Sequence, residues 1–167
     1  MKYIRAKHHR RSVRLKNYDY SGIGAYYITI CAWNRESVFG EIVNGEMCLN
    51  KYGERVRDEW KQTEYIRPNV EMDEFIVMPN HLHGIVVINA GNTCRGRLQR
   101  APTYEQFGKP VSNSIPTIIR LFKSSITKSI NINRKTPGMP LWQRNYFEHV
   151  IRTENEMYQT IYPKQSR

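Results

Sequence analysis

Two histidines one residue apart, His81 and His83, have the types and spacing in this chain that most directly suggest chemistry. They open the apolar run His-Leu-His-Gly-Ile-Val-Val-Ile, and a second run, Phe75-Ile76-Val77-Met78, precedes them across Pro79-Asn80. Proline and asparagine break ladder pairing and turn the chain, so the pair reads as the start of a strand leaving a turn. Period-2 alternation then puts His81, His83, Ile85 and Val87 on one face, and Leu82, Gly84, Val86 and Ile88 on the other. The two imidazoles project side by side, about 7 Å apart along a rigid strand. Such a pair suits a divalent cation, because neutral imidazole is a common metal ligand and the strand fixes both rings. A lone His-x-His is also what two hydrogen-bonded histidines at a sheet end look like. The surrounding elements decide.

Residues 25–33 (AYYITICAW) are β-branched and aromatic and predict a buried first strand. Residues 38–43 and 46–49 flank Asn44-Gly45, the strongest short hairpin signal. Asn50 is a helix cap, and Tyr52, Val56 and Trp60 recur every four residues, predicting an amphipathic helix over 51–65 that stops at Arg67-Pro68-Asn69. Residues 70–78 predict a second core strand, and the histidine strand is the third. Residues 89–113 mix glycine, proline, arginine and polar side chains without a period, and predict a flexible linker or binding loop.

Ser114-Ile115-Pro116 opens a second helix over 114–132, with Ile115, Ile119, Phe122, Ile126 and Ile130 as its buried stripe and Arg120, Lys123 and Lys128 off it. After a turn at 135–140, residues 141–152 (LWQRNYFEHVIR) predict a fourth core strand. Thr153-Glu154-Asn155-Glu156 is a capping box opening a last helix to about residue 162. The order contains βαββαβ, so the predicted fold is α+β: a ferredoxin-like antiparallel sheet with an added hairpin and a C-terminal helix. One domain over 25–167 follows a basic arm over 1–24.

The 167 residues, 40% hydrophobic, suffice for one real core. No apolar run approaches the roughly 20 residues of a membrane helix, and the basic N-terminus lacks the apolar segment of a secretion signal. Cys31, Cys48 and Cys94 form no CxxC, so neither a disulfide framework nor a cysteine zinc site is implied, and a reducing cytoplasm is the expected compartment. The net charge of +11 is unevenly spread: residues 1–20 carry +6, residues 21–88 carry −4 and residues 89–167 carry +9. Positive flanks around an acidic middle are the footprint of a polyanion binder, foremost nucleic acid. No basic helix with an insertion face argues for a membrane surface instead. In the arm, bases interleave with tyrosines, which suits phosphate contact and stacking on unpaired bases.

Taken as an ordered set, these stretches resemble the REP-associated tyrosine transposases, close to the single-tyrosine HUH insertion-sequence transposases. Pro79-Asn80-His81-Leu82-His83-Gly84 is similar to the His-hydrophobe-His signature. Residues 8–20, the strand at 26–30, Phe39-Gly40-Glu41-Ile42, residues 116–128 and residues 142–152 resemble the rest of the family pattern. The resemblance implies a domain that binds single-stranded or hairpin DNA and cuts and rejoins one strand through a 5′-phosphotyrosine. It implies a divalent metal, Mg²⁺ or Mn²⁺, held by His81 and His83, and no ATP. Arg10, Arg11, Arg14, Arg120 and Lys123 are the expected DNA contacts. The oligomeric state is left as monomer or homodimer.

The sequence departs from this family at its nucleophile. Relatives carry a Tyr-Ile-x-Asn-Asn-Pro-like segment about eleven residues after the Ile-Arg that matches Ile151-Arg152, with a polar metal ligand one turn beyond the tyrosine. Here Tyr162 is the nearest candidate, Tyr158 lies one turn earlier, and Gln165 is the stand-in for the third ligand. Pro163 disfavours helical geometry at Tyr162. The expectation is therefore a C-terminally truncated or degenerate member. The alternatives are an inactive relative that only binds nucleic-acid hairpins, and a small metal hydrolase, which no HExxH or clustered carboxylates support.

Overall fold

A computed structural model of the chain describes residue 15 and residues 18–90, 111–153 and 155–157. Four strands form one antiparallel sheet in the order β4-β5-β1-β6. They are β1 (Gly24–Cys31), β4 (Val70–Met78), β5 (His81–Ile88) and β6 (Phe147–Ile151). Helices α1 (Lys51–Ile66) and α2 (Ile115–Arg134) supply the two crossovers. This is the predicted ferredoxin-like βαββαβ arrangement, and strands β2 (Gly40–Val43) and β3 (Glu46–Leu49) are the added hairpin. Asn44 and Gly45, both at positive φ (53° and 86°), make its turn.

Both helices start where their caps dictate. The Asn50 side chain accepts from the Tyr52 and Gly53 amides, and Ser114 accepts from Thr117 ahead of a first-turn proline. The stripe Ile115, Ile119, Phe122, Ile126 and Ile130 is buried as its spacing predicts, and Val56 and Trp60 are buried on α1. These side chains pack on Tyr26, Ile28 and Ile30 of β1 and on Leu82, Val86 and Ile88 of β5. Trp60 sets the fit of α1 on the sheet. Its indole meets Phe122 edge-on at 5.2 Å and lies so close over Gly84 that a Cβ there would sit 2.7 Å from the ring.

Three predicted strands come out differently. The first ends at Cys31, and Trp33–Arg35 coil into a 3-10 turn with Asn34 in left-handed geometry. The second is an edge strand rather than a core strand: only Val70 and Val77 are buried. Its register shifts between Met72 and Phe75, where Asp73 and Glu74 sit, which blunts the exposed edge. The fourth is five residues long rather than twelve. Leu141 and Trp142 are buried and apolar, hence strand-like in sequence, but they plug the end of the core, with Trp142 against Phe39 and Phe122. A single bridge to Ala32 is their share of pairing.

The end of the basic arm joins the core. Tyr20 is buried, its ring packs near Tyr18 and Tyr26, and its hydroxyl accepts from the Leu15 amide. A capping interaction opens the last helix, with Thr153 accepting from the Glu156 amide and Glu156 accepting from Arg152. The first turn, residues 155–157, is the part of that helix described.

Candidate active site

Helices cover one face of the sheet, and the histidines stand on the other. Leu82, Gly84, Val86 and Ile88 point into the core, so alternation places His81 and His83 opposite, both half-buried. Ile85, on the histidine face by the same alternation, is nonetheless 2% exposed. Pairing brings Cys31 beside His81, Thr29 beside His83 and Tyr27 beside Ile85. A row across the sheet reads Ile76, His83, Thr29, Phe147, with Ile76 and Phe147 at its ends 49% and 54% exposed.

The turn that starts β5 is held from three directions. The Pro79 carbonyl accepts from the Phe39 amide and the Asn80 carbonyl from the Ala32 amide. The Asn80 Nδ2 donates to the Arg35 carbonyl at 3.1 Å. A carbonyl only accepts, so this last bond fixes which way the Asn80 amide faces. Its Oδ1 then lies 2.6 Å from His81 Nδ1, and an amide oxygen also only accepts. His81 therefore carries its proton on Nδ1 and a lone pair on Nε2.

His83 is fixed from the neighbouring strand. Its Nδ1 lies 2.7 Å from the Tyr27 hydroxyl and 2.8 Å from the Thr29 hydroxyl. The Tyr27 ring stacks on the imidazole at 5.6 Å, 12° from parallel. The two imidazoles converge to 4.5 Å between ring centroids, edge to face. Among the described residues neither Nε2 has a hydrogen-bond partner. Burial lowers the pKa of His81, and burial together with the neighbouring His81 lowers that of His83. Both rings are thus held neutral near pH 7, the ligating form.

This donor set fits a divalent cation. Two neutral imidazoles have Nδ1 engaged by protein oxygens, which fixes the orientation of both rings; at His81 the amide oxygen of Asn80 also fixes the tautomer and leaves the Nε2 lone pair to bind. No cluster of three ligating side chains occurs among the described residues. Gln165, Tyr162 and Tyr158 lie outside the described residues, as do Arg10, Arg11 and Arg14. Arg120 is exposed on α2. Lys123 instead donates to the carbonyls of Gln143 at 2.5 Å and Asn145 at 3.2 Å. Burial pushes its pKa down to about 8, against a smaller opposing effect of Cys31.

Sequence reasoning missed the support around the histidines. Asn80 was legible as a turn residue and not as an orienting group. Tyr27 and Thr29 alternate correctly in the first strand, but their partnership with His83 depends on a register that spacing does not reveal. His149, exposed opposite Tyr27, shares the histidine face; the alternation of Phe147, His149 and Ile151 is the signal that would have placed it.

The fold is similar to that of two solved proteins. A REP-associated tyrosine transposase solved bound to a REP hairpin superposes with a TM-score of 0.59 at 16% identity, covering 90% of this chain and 68% of that one. A protein from Deinococcus radiodurans R1, provisionally assigned as a transposase, superposes with a TM-score of 0.51 at 14% identity, covering 83% and 86%. No family model matches the sequence. The chain belongs to the same family as an uncharacterized protein of Haemophilus influenzae, to which it is 44% identical over 161 residues, 95% of this chain and 87% of that protein.

Proposed function

We propose that the protein cuts and rejoins one strand of single-stranded or hairpin DNA, with His81 and His83 holding a divalent metal, Mn²⁺ or Mg²⁺, at the scissile phosphate. The observation that carries this is the pair of converging imidazoles with their Nε2 atoms left to bind, in a fold shared with a hairpin-bound transposase. When bound, the cation supplies Lewis-acid polarisation of a phosphoryl oxygen. Ile76 and Phe147, exposed on either side of His83 and Thr29, offer apolar surface to bases unstacked around the scissile bond.

Tyr162 is the nucleophile in this reading, with Tyr158 as the alternate. Its hydroxyl oxygen bonds to phosphorus as the P–O3′ bond breaks, and the 3′ oxygen leaves as a hydroxyl carrying the tyrosine proton. The covalent 5′-phosphotyrosine conserves the bond energy, so attack by a 3′-hydroxyl reverses the step without ATP. Gln165 is the proposed third ligand.

A labelled hairpin oligonucleotide with a single-stranded flank, incubated with Mn²⁺, tests this by formation of a denaturation-resistant protein–DNA adduct. His81→Ala/His83→Ala should abolish the adduct and weaken Mn²⁺ binding measured by electron paramagnetic resonance, while hairpin binding persists. Tyr162→Phe should eliminate the adduct and Tyr158→Phe should not. Wild-type cleavage rates in the double-alanine protein would sink the metal assignment. Tight hairpin binding with no adduct in the wild type would leave a binding protein in place of an enzyme.

A further inference from the structure

On the helix side of the sheet, the C-terminal half of α2 and the loop 137–144 flank an open cleft of about 700 Å³. Its helix wall is a stripe at helical spacing: Ser124, Thr127, Lys128, Asn131, Ile132 and Lys135. From Ser124 to Lys135 the wall runs roughly 17 Å at about 1.5 Å per residue, the length of about five extended peptide residues. The loop wall is held in place. Buried Asn131 donates through Nδ2 to the Met139 carbonyl at 2.8 Å, and its own carbonyl accepts from the Thr136 amide. Pro137 and Pro140 restrict the backbone on either side of Met139. Lys123 donates to the carbonyls of Gln143 and Asn145, on both sides of Arg144.

The lining combines one sign of charge with aliphatic surface. Lys123, Lys128, Lys135 and Arg144 line it and no carboxylate does. Lys123 is committed to the loop carbonyls, whereas Lys128, Lys135 and Arg144 are exposed. The C-terminal end of α2 places about half a negative charge there, which these three cations outweigh. Between them Ile132 and Met139 are 68% and 57% exposed, next to Pro137 and Pro140. Trp142, the aromatic residue of the lining, is instead 6% exposed and packs on Phe39 and Phe122. Single-stranded nucleic acid is held by cations interleaved with open rings on which bases stack, and no open ring lines this cleft. Aliphatic surface among cations is complementary to a chain that alternates carboxylates with aliphatic side chains. Residues 1–14, 91–110 and 158–167 carry +6, +3 and +2, so these segments of the protein itself would be repelled.

We infer that this cleft docks an extended acidic segment of a partner protein, its carboxylates on Lys128, Lys135 and Arg144 and its aliphatic side chains against Ile132 and Met139. The tied loop wall presents these groups without prior ordering, which lowers the cost of binding. The cleft is on the face opposite His81 and His83, so the inference is independent of the chemistry proposed for them.

A fluorescein-labelled peptide of sequence DDLDLDD, added to the full chain and followed by fluorescence anisotropy, tests this. Binding should saturate, and amide resonances of residues 124–144 should shift most. Lys128→Glu/Lys135→Glu/Arg144→Glu should weaken binding roughly tenfold or more at low salt, because three attractions become repulsions. Ile132→Ser/Met139→Ser should also weaken it roughly tenfold, through lost apolar contact. All five substituted side chains are exposed, so the fold should persist. Lys51→Glu/Arg55→Glu/Lys61→Glu, the same charge change on exposed positions of α1, should bind within about threefold of the wild type. The peptides NNLNLNN and DDADADD should each bind roughly tenfold more weakly than DDLDLDD. Absence of saturable binding overturns the inference, and so does an equal loss in both charge-reversed triple variants. Displacement of the peptide by an equal or lower concentration of oligothymidylate of the same charge would put nucleic acid in the cleft instead. Self-association of the wild type that the cleft triple variant abolishes would put a second copy there.

Discussion

The two faces of the sheet draw on alternate residues of the same strands and are stabilised in opposite ways. On the helix face, Ile28, Ile30, Leu82 and Val86 are fully enclosed and interlock with Trp60 and Phe122, and removal of apolar surface from water does the work. On the histidine face, Tyr27, Thr29 and Asn80 hold imidazoles by directional bonds, and side chains such as Ile76, Phe147 and His149 stay open. One face tolerates little change in volume and the other little change in hydrogen-bond chemistry. The lesson is that β5 is positioned by the first face and made useful by the second.

The sharpest way to break this contrast is to truncate one large side chain on each face. Trp60→Ala should cost about 3–5 kcal/mol of stability, read by chemical denaturation, because the cavity would open under α1. His83→Ala should cost about 1 kcal/mol and yet remove Mn²⁺ binding. Equal losses of stability would show that the faces are not divided in this way.

Gly84→Ala tests the link between them. The added methyl would meet Trp60 at 2.7 Å and the Phe75 Cβ at 3.0 Å, so β5 or α1 must shift, at about 1–3 kcal/mol. Displacement should be visible as changed chemical shifts of the His81 and His83 ring protons on the far face. Unmoved resonances would mean that α1 alone gives way.

Asn80→Ala should cost about 1 kcal/mol through loss of the Nδ2 bond to the Arg35 carbonyl, and weaken Mn²⁺ binding about 10- to 100-fold, since His81 loses the acceptor that fixes its tautomer. Full metal affinity in this variant would show that the strand alone orients the ring.

The smallest effect is with pH. His81 and His83 titrate below the ordinary histidine value in the folded state, so on acidification the unfolded chain takes up protons first. Their contribution to stability is complete above about pH 6.5 and is lost as pH falls through the lowered folded values. Denaturation midpoints of the wild type should fall in that window more than those of His81→Ala/His83→Ala; parallel curves would contradict the burial of the rings.

Local signals carried much of the fold. Asn50, Ser114, Asn44-Gly45 and the isoleucine stripe of α2 act through their own neighbours, and each element they mark is present. The failures are positions where distant contacts override local pattern. Leu141, Trp142 and Tyr146 make residues 141–146 strand-like in sequence, but Trp142 is drawn into the core end and Lys123 binds the carbonyls that a ladder would use. Residues 70–78 have strand composition, yet nothing in them says that only one neighbour will pair. At the site, the spacing of His81 and His83 marked the two imidazoles that converge on the open face, whereas Tyr27, Thr29 and Asn80 became visible as their support only with the register and the turn geometry.

The Pro79-Asn80 turn also gives β5 a parity. Met78 pairs with His81, leaving two residues in the connection, and bonds from Phe39, Ala32 and Arg35 leave it no freedom to slip. Adding or deleting one residue there would exchange odd for even along the strand, sending both imidazoles under Trp60 and turning Leu82 and Val86 outward. A length change of two would keep odd and even in place. Related chains of different length at this turn should therefore differ from this one by even numbers, whatever residues they use to make it.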